Sequence, residues 1–482
     1  MRYRTLKTTL LCLVALAATA STAAASSRQV AVFEDNAKLA QSGPGTRDAT
    51  LDELQGLGVD VIKFQLPWDA VAPRTKTKPE GFDGRDPAAY PGWGPYDGLM
   101  AAAKARGFQV MVAIGPPVPG WATKRKGDRS GVDRPNSREY GRYTEAAAKR
   151  YPEADIWTLW NEPNHPGFLY PQSSRGVPYA PRLYRALVRA GVAGLKRGGS
   201  GGDRILFGEL LPIGKSSTSA RSNLRPIRFL REFFCLDSRG NRLRGSTARR
   251  HGCSGYKKLT GLGGFAYHPY TRPNGPRGKE PSSDDATIRS VGRITRMLDL
   301  ARRRGRIGGG RLSFWNTEFG YQSTPPDRFQ TRLSRIPGFI NEAEWMSFRN
   351  RRVASYSQYT LVDDPLGGDL DRFGSWQGGL RFANGRPKGG VYNAYRLPFF
   401  VRQLGPSHVE VWGAARPSGA GASVQVFQKS GNGAYNNLGG PISVTNQRGY
   451  FRARFRIARA AKRTFKFTSA GLTSRATKAA LR

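Results

Sequence analysis

Short apolar runs rich in β-branched residues alternate along the chain with longer segments whose apolar positions recur at helical spacing. Eight runs predict strands: QVAVFEDN, GVDVIKFQLPW, GFQVMVAIGPP, IWTLWNEPN, RILFGELLP, GFAYHPY, RLSFWNTEFG and VASYSQYTLVDD. Segments between them, such as PYDGLMAAAKARG and SREYGRYTEAAAKRY, predict amphipathic helices. Repeated strand-helix units predict an α/β fold with a parallel sheet. Because there are eight units, and because no glycine-rich phosphate loop follows the first strand, we expect a closed (β/α)8 TIM barrel.

The pattern changes near Leu404, where short runs with period-two alternation are joined by Gly, Pro and Ser turns. We therefore predict a barrel over residues 29–400 and a small antiparallel, β-sandwich-like domain over residues 404–482. A stretch without a clear strand, at about residues 212–263, predicts an insertion between the fifth and sixth strands. The small domain either binds carbohydrate or covers the outer surface of the barrel.

The first residues have the pattern of a cleaved secretory signal. Basic residues precede the apolar run TLLCLVALAATA, and Ala23 and Ala25 form a small-x-small site before Ser26. We expect residues 1–25 to be removed and the protein to be secreted, either extracellular or associated with the cell wall. The apolar run is too short for a bilayer, which needs about 20 residues, so no transmembrane segment is predicted.

Removal of the signal would leave two cysteines, Cys235 and Cys253. An even pair in a chain bound for an oxidising compartment predicts a disulfide, and two free buried thiols are the alternative. The chain has four histidines, none in a spacing such as HExxH, and it contains no GxSxG at a strand-to-helix turn. We therefore predict no metal, no cofactor and no serine nucleophile.

The charge balance is strongly basic, with 77 Lys+Arg against 35 Asp+Glu and a formal net charge of +42. Such a charge attracts polyanions over long distances, and salt weakens the attraction. The sequence shows no zinc-finger spacing, no RNA-binding aromatic motif and no concentrated basic arm, so no specific nucleic acid partner is predicted. A secreted protein acting near an acidic polysaccharide fits the charge, and so does a compositional bias without a function.

Candidate chemistry lies where the predicted strands end, because all the strand ends of such a barrel meet at one face. The fourth strand ends in Trp160, Asn161 and Glu162, the sixth in His268 and Tyr270, and the seventh in Glu318. Two carboxyl groups facing one another across a barrel mouth suit the cleavage of a glycosidic bond. If they lie about 5–5.5 Å apart, one can attack the anomeric carbon and the reaction retains configuration.

The segments WNEPN on the fourth strand and TEFG on the seventh resemble the acid/base and nucleophile motifs of the clan A glycoside hydrolases. The resemblance covers roughly residues 29–400 and is greatest to families 5 and 39. It implies a retaining glycosidase in which Glu162 is the general acid/base and Glu318 the nucleophile. It further implies that Asn161 contacts the sugar hydroxyl beside the anomeric carbon. In the HPY segment, Tyr270 would contact the nucleophile, with His268 beside it.

Other residues at strand ends complete the predicted sugar site. Lys63 stands on the second strand where family 5 members usually carry an arginine, and IGPPVPGW after the third strand is more similar to family 39. Aromatic rings stack on the apolar faces of sugars, and the candidates are Trp68, Trp121, Trp160, Tyr270, Tyr359 and Trp376. Asp363 and Asp364 either bind sugar hydroxyls or cap a loop. Glu209, near the end of the fifth strand, is interpreted as a residue without a catalytic role.

Two functions follow from these patterns. The first is a secreted retaining glycoside hydrolase that cleaves O-glycosidic bonds of a poly- or oligosaccharide with two glutamates. The second is a catalytically inactive barrel that binds polysaccharide or cell wall through its positive charge. They differ in whether a glycoside is turned over and in whether that turnover depends on Glu318.

Overall fold

A computed structural model describes residues 26–125, 130–271, 273–327, 330–366, 375–458 and 460–481. The predicted signal segment, residues 1–25, lies outside the described residues. Eight parallel strands form a closed barrel in which each strand pairs with its neighbours in chain order and the eighth pairs with the first. These strands are β1 (Val30–Glu34), β2 (Val61–Pro67), β3 (Gln109–Gly115), β4 (Ile156–Leu159), β5 (Arg204–Leu210), β6 (Gly264–Tyr267), β7 (Ser313–Asn316) and β8 (Val353–Tyr359). The predicted (β/α)8 barrel is confirmed.

Helices lie between the strands and in the insertion. Those of six or more residues are α1 (Pro44–Gly56), α2 (Gly94–Ala105), α3 (Ser137–Arg150), α4 (Ala180–Arg197), α5 (Pro226–Phe233), α6 (Gly245–Arg250), α7 (Val291–Arg303), α8 (Ile336–Phe348) and α9 (Gly389–Arg396). Helix α3 begins with an N-cap, since the side chain of Asn136 accepts hydrogen bonds from the amides of Arg138 and Glu139. Among the described residues, no helix has both the length and the apolar character needed to cross a bilayer.

Strand alternation divides the barrel into two apolar layers. Inward-facing side chains fill the lower interior, whereas the alternate positions pack outward against the helices. The interior layer consists of Val30, Val32, Val61, Met111, Ile156, Leu206, Ala266 and Trp315. Because this layer closes the lower part of the barrel, polar side chains that point inward are concentrated at the carboxyl ends of the strands.

The insertion between β5 and β6 is helical. It carries α5 and α6 and a disulfide between Cys235 and Cys253, as the sequence predicted. Arg185 on α4 donates hydrogen bonds to the carbonyl of Phe233 at 2.9 Å and to that of Gly252. These contacts attach the insertion to the outside of the barrel.

Two antiparallel sheets follow the barrel. The first consists of Phe399–Gly405, His408–Ala414 and Tyr450–Arg456, and the second is centred on Ser423–Ser430 and Arg463–Ser469. They share a core that includes Phe399, Val411 and Phe467. The first strand begins at Phe399, slightly before the predicted start of the β domain, since the apolar run FFV belongs to this core.

A buried ion pair joins the barrel to the sheets. Arg416, in the turn after His408–Ala414, donates to the carboxylate of Glu344 on α8. The hydroxyl of Tyr450 donates to the same carboxylate oxygen at 3.1 Å. Both charged side chains are almost fully buried. Each charge therefore depends on the other for compensation.

We expect Arg416→Ala to lower the free energy of unfolding by about 3–5 kcal/mol, because the carboxylate of Glu344 would remain buried without its cation. The double variant Glu344→Leu/Arg416→Met removes both charges and should cost clearly less. Urea unfolding followed by tryptophan fluorescence measures both. A single variant no less stable than the double variant would contradict this role for the pair.

Candidate active site

Six charged side chains converge at the carboxyl ends of the barrel strands. Each belongs to a different strand or to the residues directly after it. They are Glu34 (β1), Lys63 (β2), Glu162 (after β4), Glu209 (β5), His268 (after β6) and Glu318 (after β7). They form the mouth of the barrel and its floor.

The segment after β4 is held in an unusual conformation. Trp160 has a φ of 75° and Glu162 a φ of 36°, values in the left-handed region that cost roughly 1–3 kcal/mol for residues other than glycine. Asn164 holds the segment, since its side chain bonds the amide and carbonyl of Leu211 and the carbonyl of Leu224. The amide of Glu162 also donates to the carbonyl of Glu209 at 2.9 Å. The WNEPN segment is thus tied to β5, and Glu162 is fixed at the mouth.

A bulge in β5 turns Glu209 inward. The pairing of β5 with β6 shifts between Gly208 and Leu210, where Gly208 has a φ of 125° and Glu209 a φ of 48°. Leu206 faces the barrel interior and Phe207 the helices, so regular alternation would point Glu209 toward the helices. The bulge changes this direction. Glycine is required at 208, because a Cβ there would lie 2.2 Å from the carbonyl oxygen of Ala266.

The two predicted catalytic glutamates lie face to face. One carboxylate oxygen of Glu162, one of Glu318 and a ring nitrogen of His268 all lie within 4.8 Å of one another. The hydroxyl of Tyr270 donates to Oε1 of Glu318 at 2.8 Å. Both glutamate side chains are slightly exposed, at 17% and 14%, so they border the solvent-accessible mouth. This separation is compatible with a carboxyl pair of the retaining type, which lies about 5–5.5 Å apart.

Below the pair lies a fully buried network of charges. The ammonium of Lys63 is 2.9 Å from Glu34, 3.2 Å from Glu209 and 3.9 Å from Glu318. The ring of His268 lies between Glu162, whose Oε1 is 3.0 Å from Nδ1, and Glu209, whose Oε2 contacts Nε2. Two potential cations therefore face four carboxyl groups.

This imbalance shifts the pKa values of the network. Burial raises the pKa of Glu318 to about 7, a shift that Glu34 and Glu162 reinforce and that His268 and Lys63 oppose. Burial would lower the pKa of His268, but Glu318 and Glu209 outweigh it and raise that pKa to about 10. Burial would likewise raise the pKa of Glu209, yet Lys63 and His268 hold it at about 2. Glu209 and His268 are therefore ionised at neutral pH, whereas the carboxyl group of Glu318 titrates near pH 7.

Glu162, His268 and Glu318 have the spacing of a possible three-ligand metal site. Their surroundings fit a hydrogen-bonded network better. Both ring nitrogens of His268 already face carboxylates, and the ammonium of Lys63 lies 3.9 Å from Glu318. A divalent ion would be placed beside positively charged side chains, which is unfavourable.

The structure corrects three of the predicted sugar contacts. Trp68 is fully buried, with one face stacked on Tyr143 at 5.3 Å and an edge contact to Trp121. Trp160 is also fully buried and packs against Tyr140. These rings serve the aromatic core around β2 to β4, so their faces are not available to a sugar. Lys63, with 0% exposure, balances the buried carboxylates instead of facing the mouth.

Other predicted residues do lie at the mouth. The half-buried ring of Trp376 contacts Tyr270 and Tyr359 edge-on, at 5.4 and 5.3 Å. Trp121, by contrast, is half-buried and packs edge-on against Trp68 and Phe82. Oδ1 of Asn161 is buried and has no hydrogen-bond partner among the residues that the structure describes. An unpaired buried amide oxygen in the residue directly before Glu162 fits a site that is completed by a ligand.

Asp363 and Asp364 hold loops together. Asp363 is buried and pairs with Lys388 at 2.7 Å, and Asp364 accepts the amide of Trp376 at 2.7 Å. Of the two predicted roles for these residues, binding sugar hydroxyls or capping a loop, the contacts therefore support the second.

Sequence reasoning missed two members of the network. Glu34 is the last residue of β1, so the same strand-end criterion that found Glu162 could have found it. Glu209 was interpreted as a residue without a catalytic role, and regular alternation along β5 would indeed point it toward the helices. Its inward direction depends on the bulge at Gly208, and a glycine directly before a strand-end glutamate was the available signal.

No protein-family model matches the chain, and no curated protein does. Several solved structures of glycoside hydrolases are similar to this chain at low identity and with TM-scores below 0.5. GH5_18 from Bifidobacterium longum subsp. longum is 12% identical with a TM-score of 0.49, over 77% of this chain and 78% of that one. Xylanase 10B from Thermotoga maritima is 11% identical with a TM-score of 0.45, over 77% and 95%. The family 1 β-glucosidase from the same organism is 14% identical with a TM-score of 0.45, over 73% and 86%.

Proposed function

We propose that the protein is a retaining glycoside hydrolase. The observation that carries this proposal is the placement of Glu162 and Glu318, whose carboxylate oxygens approach within 4.8 Å at the barrel mouth. The distance leaves no room for a water molecule between a sugar carbon and an acid on the far side. An inverting enzyme needs that room and separates its carboxyl groups by about 6.5–9.5 Å.

The reaction then has two steps. In the first, a carboxylate oxygen of Glu318 bonds to the anomeric carbon as the bond to the leaving oxygen breaks and Glu162 donates its proton to that oxygen. In the second, Glu162 takes a proton from water, and the water oxygen replaces Glu318 on the anomeric carbon. Tyr270 holds Glu318 through its hydroxyl, and burial raises the pKa of Tyr270 so that it remains a donor.

The remaining contacts suit a sugar ring beside the two glutamates. Asn161 directly precedes Glu162, and its buried Oδ1 has no hydrogen-bond partner among the described residues. Tyr359 and Trp376 form an aromatic wall next to Tyr270, the partner of Glu318. A ring lying against this wall would exclude water from one of its apolar faces. We therefore assign the binding of the reacting sugar to these residues.

We further propose that the protein is secreted and that its substrate is an acidic polysaccharide. The loops after β3, β4 and β5 line a cavity of about 890 Å³. Its described lining includes four cationic residues, Lys124, Arg125, Arg134 and Arg221, and one acid, Asp133, which pairs with Arg134 at 3.1 Å. Positive charges therefore outnumber negative ones in a cavity beside the segment that carries Glu162. Such a cavity favours carboxylate- or sulfate-bearing sugars on the leaving-group side.

A panel of aryl glycosides and of neutral and acidic polysaccharides tests this function. We expect turnover of at least one glycoside, and ¹H NMR of the first product should show the configuration of the substrate. Acidic polymers should be cleaved faster than neutral polymers of the same linkage, and added salt should reduce this preference. The variant Lys124→Ser/Arg221→Ser should raise KM for the acidic polymer by about tenfold while aryl glycosides are cleaved as before.

The panel also distinguishes the alternative. A protein that binds acidic polysaccharide in a salt-dependent manner but turns over no glycoside would be a binding protein with an inactive barrel. An inverted product would contradict the two-step reaction. Equal rates on acidic and neutral polymers would contradict only the proposal of an acidic substrate, and the two-step reaction would stand.

A further inference from the structure

Glu209 is the most completely bonded carboxylate of the site. Its Oε1 accepts the hydroxyl of Thr158 at 2.7 Å. Its Oε2 accepts from Lys63 at 3.2 Å and from Thr317 at 3.1 Å, and it contacts Nε2 of His268. The side chain is 0% exposed and touches neither the mouth nor the position of a sugar. The two-step reaction assigns it no task.

These contacts determine the proton on one side of the His268 ring. An ammonium can only donate, and the two threonine hydroxyls are within donating distance of the carboxylate. Glu209 is thus surrounded by donors and is held ionised. An ionised carboxylate can only accept, so Nε2 of His268 must carry a proton.

The other ring nitrogen faces Glu162. Nδ1 lies 3.0 Å from Oε1 of Glu162, which sits directly above the ring. With Nε2 already protonated, Nδ1 either accepts a proton from Glu162 or donates one to it. Oε2 of Glu318 lies 3.5 Å from Nε2, so a second carboxyl group also favours a ring that is protonated on both nitrogens.

We propose that Glu209 is a positioning residue that keeps His268 a donor on both nitrogens, so that Oε1 of Glu162 always accepts from Nδ1 and Oε2 of Glu162 carries the catalytic proton. The proposal rests on the proposed function for its catalytic meaning. Glu209 also contacts the backbone of the proton donor, because its carbonyl accepts a hydrogen bond from the amide of Glu162 at 2.9 Å. One residue in a strand bulge thereby orients both the backbone and the carboxyl group of the proton donor.

The charge on His268 depends on groups from every strand around it. Directly facing the ring are Glu162, Glu209 and Glu318, and Tyr270 lies on its own segment. Behind Glu209 lie Lys63 on β2 and, paired with Lys63, Glu34 on β1. If the negative charge of Glu209 is removed, less negative charge remains to stabilise a positive charge on the buried ring of His268. We expect the ring then to lose a proton at neutral pH, and the cation that favours ionised Glu318 to be lost with it.

The wild-type protein gives the first test, without any substrate. The chain has four histidines, so ¹⁵N-labelled imidazole signals can be resolved, and His268→Gln assigns the signal of interest. At a pH of about 8, where an ordinary histidine is neutral, both nitrogens of His268 should be protonated. A neutral ring with one protonated nitrogen would overturn the proposal.

The isosteric variant Glu209→Gln gives the second test. We expect His268 to become neutral at the same pH, kcat to fall roughly tenfold to hundredfold with little change in KM, and the acid limb of kcat/KM to move to higher pH by about one unit. Thr158→Val is the matched control, since it removes a hydrogen bond to Glu209 but not the charge. In that variant His268 should stay protonated on both nitrogens and the acid limb should stay in place.

An imidazolium signal that survives in Glu209→Gln would overturn the proposal, as would a control that behaves like the Gln variant. If Glu209→Gln does not fold, the wild-type spectrum still decides, because a neutral His268 ring at a pH of about 8 would overturn the proposal. Absence of any glycosidase activity would contradict the proposed function alone, because the NMR results do not depend on turnover.

Discussion

Glu318→Ala is expected to lower kcat by roughly four orders of magnitude or more on every glycoside that the wild type cleaves. The carboxylate of Glu318 forms the covalent bond to the sugar, and no neighbour can replace it. Glu34 and Glu209 are nearby but are turned toward Lys63 in the buried floor. The variant also loses the partner of Tyr270, so KM is expected to change as well.

External azide should restore part of this activity. The space left by the side chain admits a small anion on the face from which Glu318 attacks, and the product should be a glycosyl azide of inverted configuration. Such a product persists, because the variant has no nucleophile to displace it. Glu153→Ala, at an exposed position far from the mouth, is the matched control and should behave like the wild type. Full activity in Glu318→Ala would contradict the nucleophile assignment.

The pH dependence of the wild type follows from the same residue. Burial raises the pKa of Glu318 to about 7, and attack needs the ionised form. Activity is therefore present above that pH and is lost as the pH falls through about 7. Because kcat/KM reports the free enzyme, its acid limb should lie near pH 7, well above that of an ordinary carboxyl group.

Glu162→Ala is expected to have the second-largest effect, and this effect should depend on the leaving group. Proton donation contributes about 10²–10⁴-fold, so kcat/KM should fall by that factor for a methyl glycoside or a natural linkage. For a dinitrophenyl glycoside the leaving oxygen needs no proton, and kcat/KM should be nearly unchanged. The second step still lacks its base, so kcat should fall and the glycosyl-enzyme should accumulate.

Azide distinguishes this variant from the first. In Glu162→Ala the intermediate on Glu318 still forms, and azide attacks it from the side of the missing acid. The product should therefore retain the substrate configuration, in contrast to the inverted azide from Glu318→Ala. A retained azide from Glu318→Ala together with an inverted azide from Glu162→Ala would show that the two roles have been assigned incorrectly.

The barrel could be predicted because each of its strands is a local pattern. The runs in β1 to β8 are short, apolar and bounded by turns, and parallel pairing in chain order follows from the helices between them. Helix α1 has a weak local pattern, since only a few apolar positions such as Leu51 and Leu54 mark it among charged residues and glycines. This helix is stabilised by packing against the barrel, and a short stretch of sequence does not show that packing.

The site was only partly predictable for a related reason. Glu162 and Glu318 are strand-end residues within recognisable segments, and position alone brings them to one rim. The role of Lys63 depends on which carboxylates surround it, and the direction of Glu209 depends on a bulge set by Gly208. Trp68 and Trp160 share the sequence context of exposed strand-end aromatics, yet neighbouring rings from α3 cover them. Such features depend on three-dimensional packing.

The most direct measurement is the mass of the trapped intermediate. Incubation with the 2-deoxy-2-fluoro derivative of a cleaved glycoside, carrying a dinitrophenyl leaving group, should slow the second step and leave one sugar on the protein. Peptide mapping should find this sugar on Glu318, and the label should be absent from Glu318→Ala. A label on any other residue, or steady turnover without a labelled protein, would contradict the central claim that two opposed glutamates cleave the bond through a covalent intermediate.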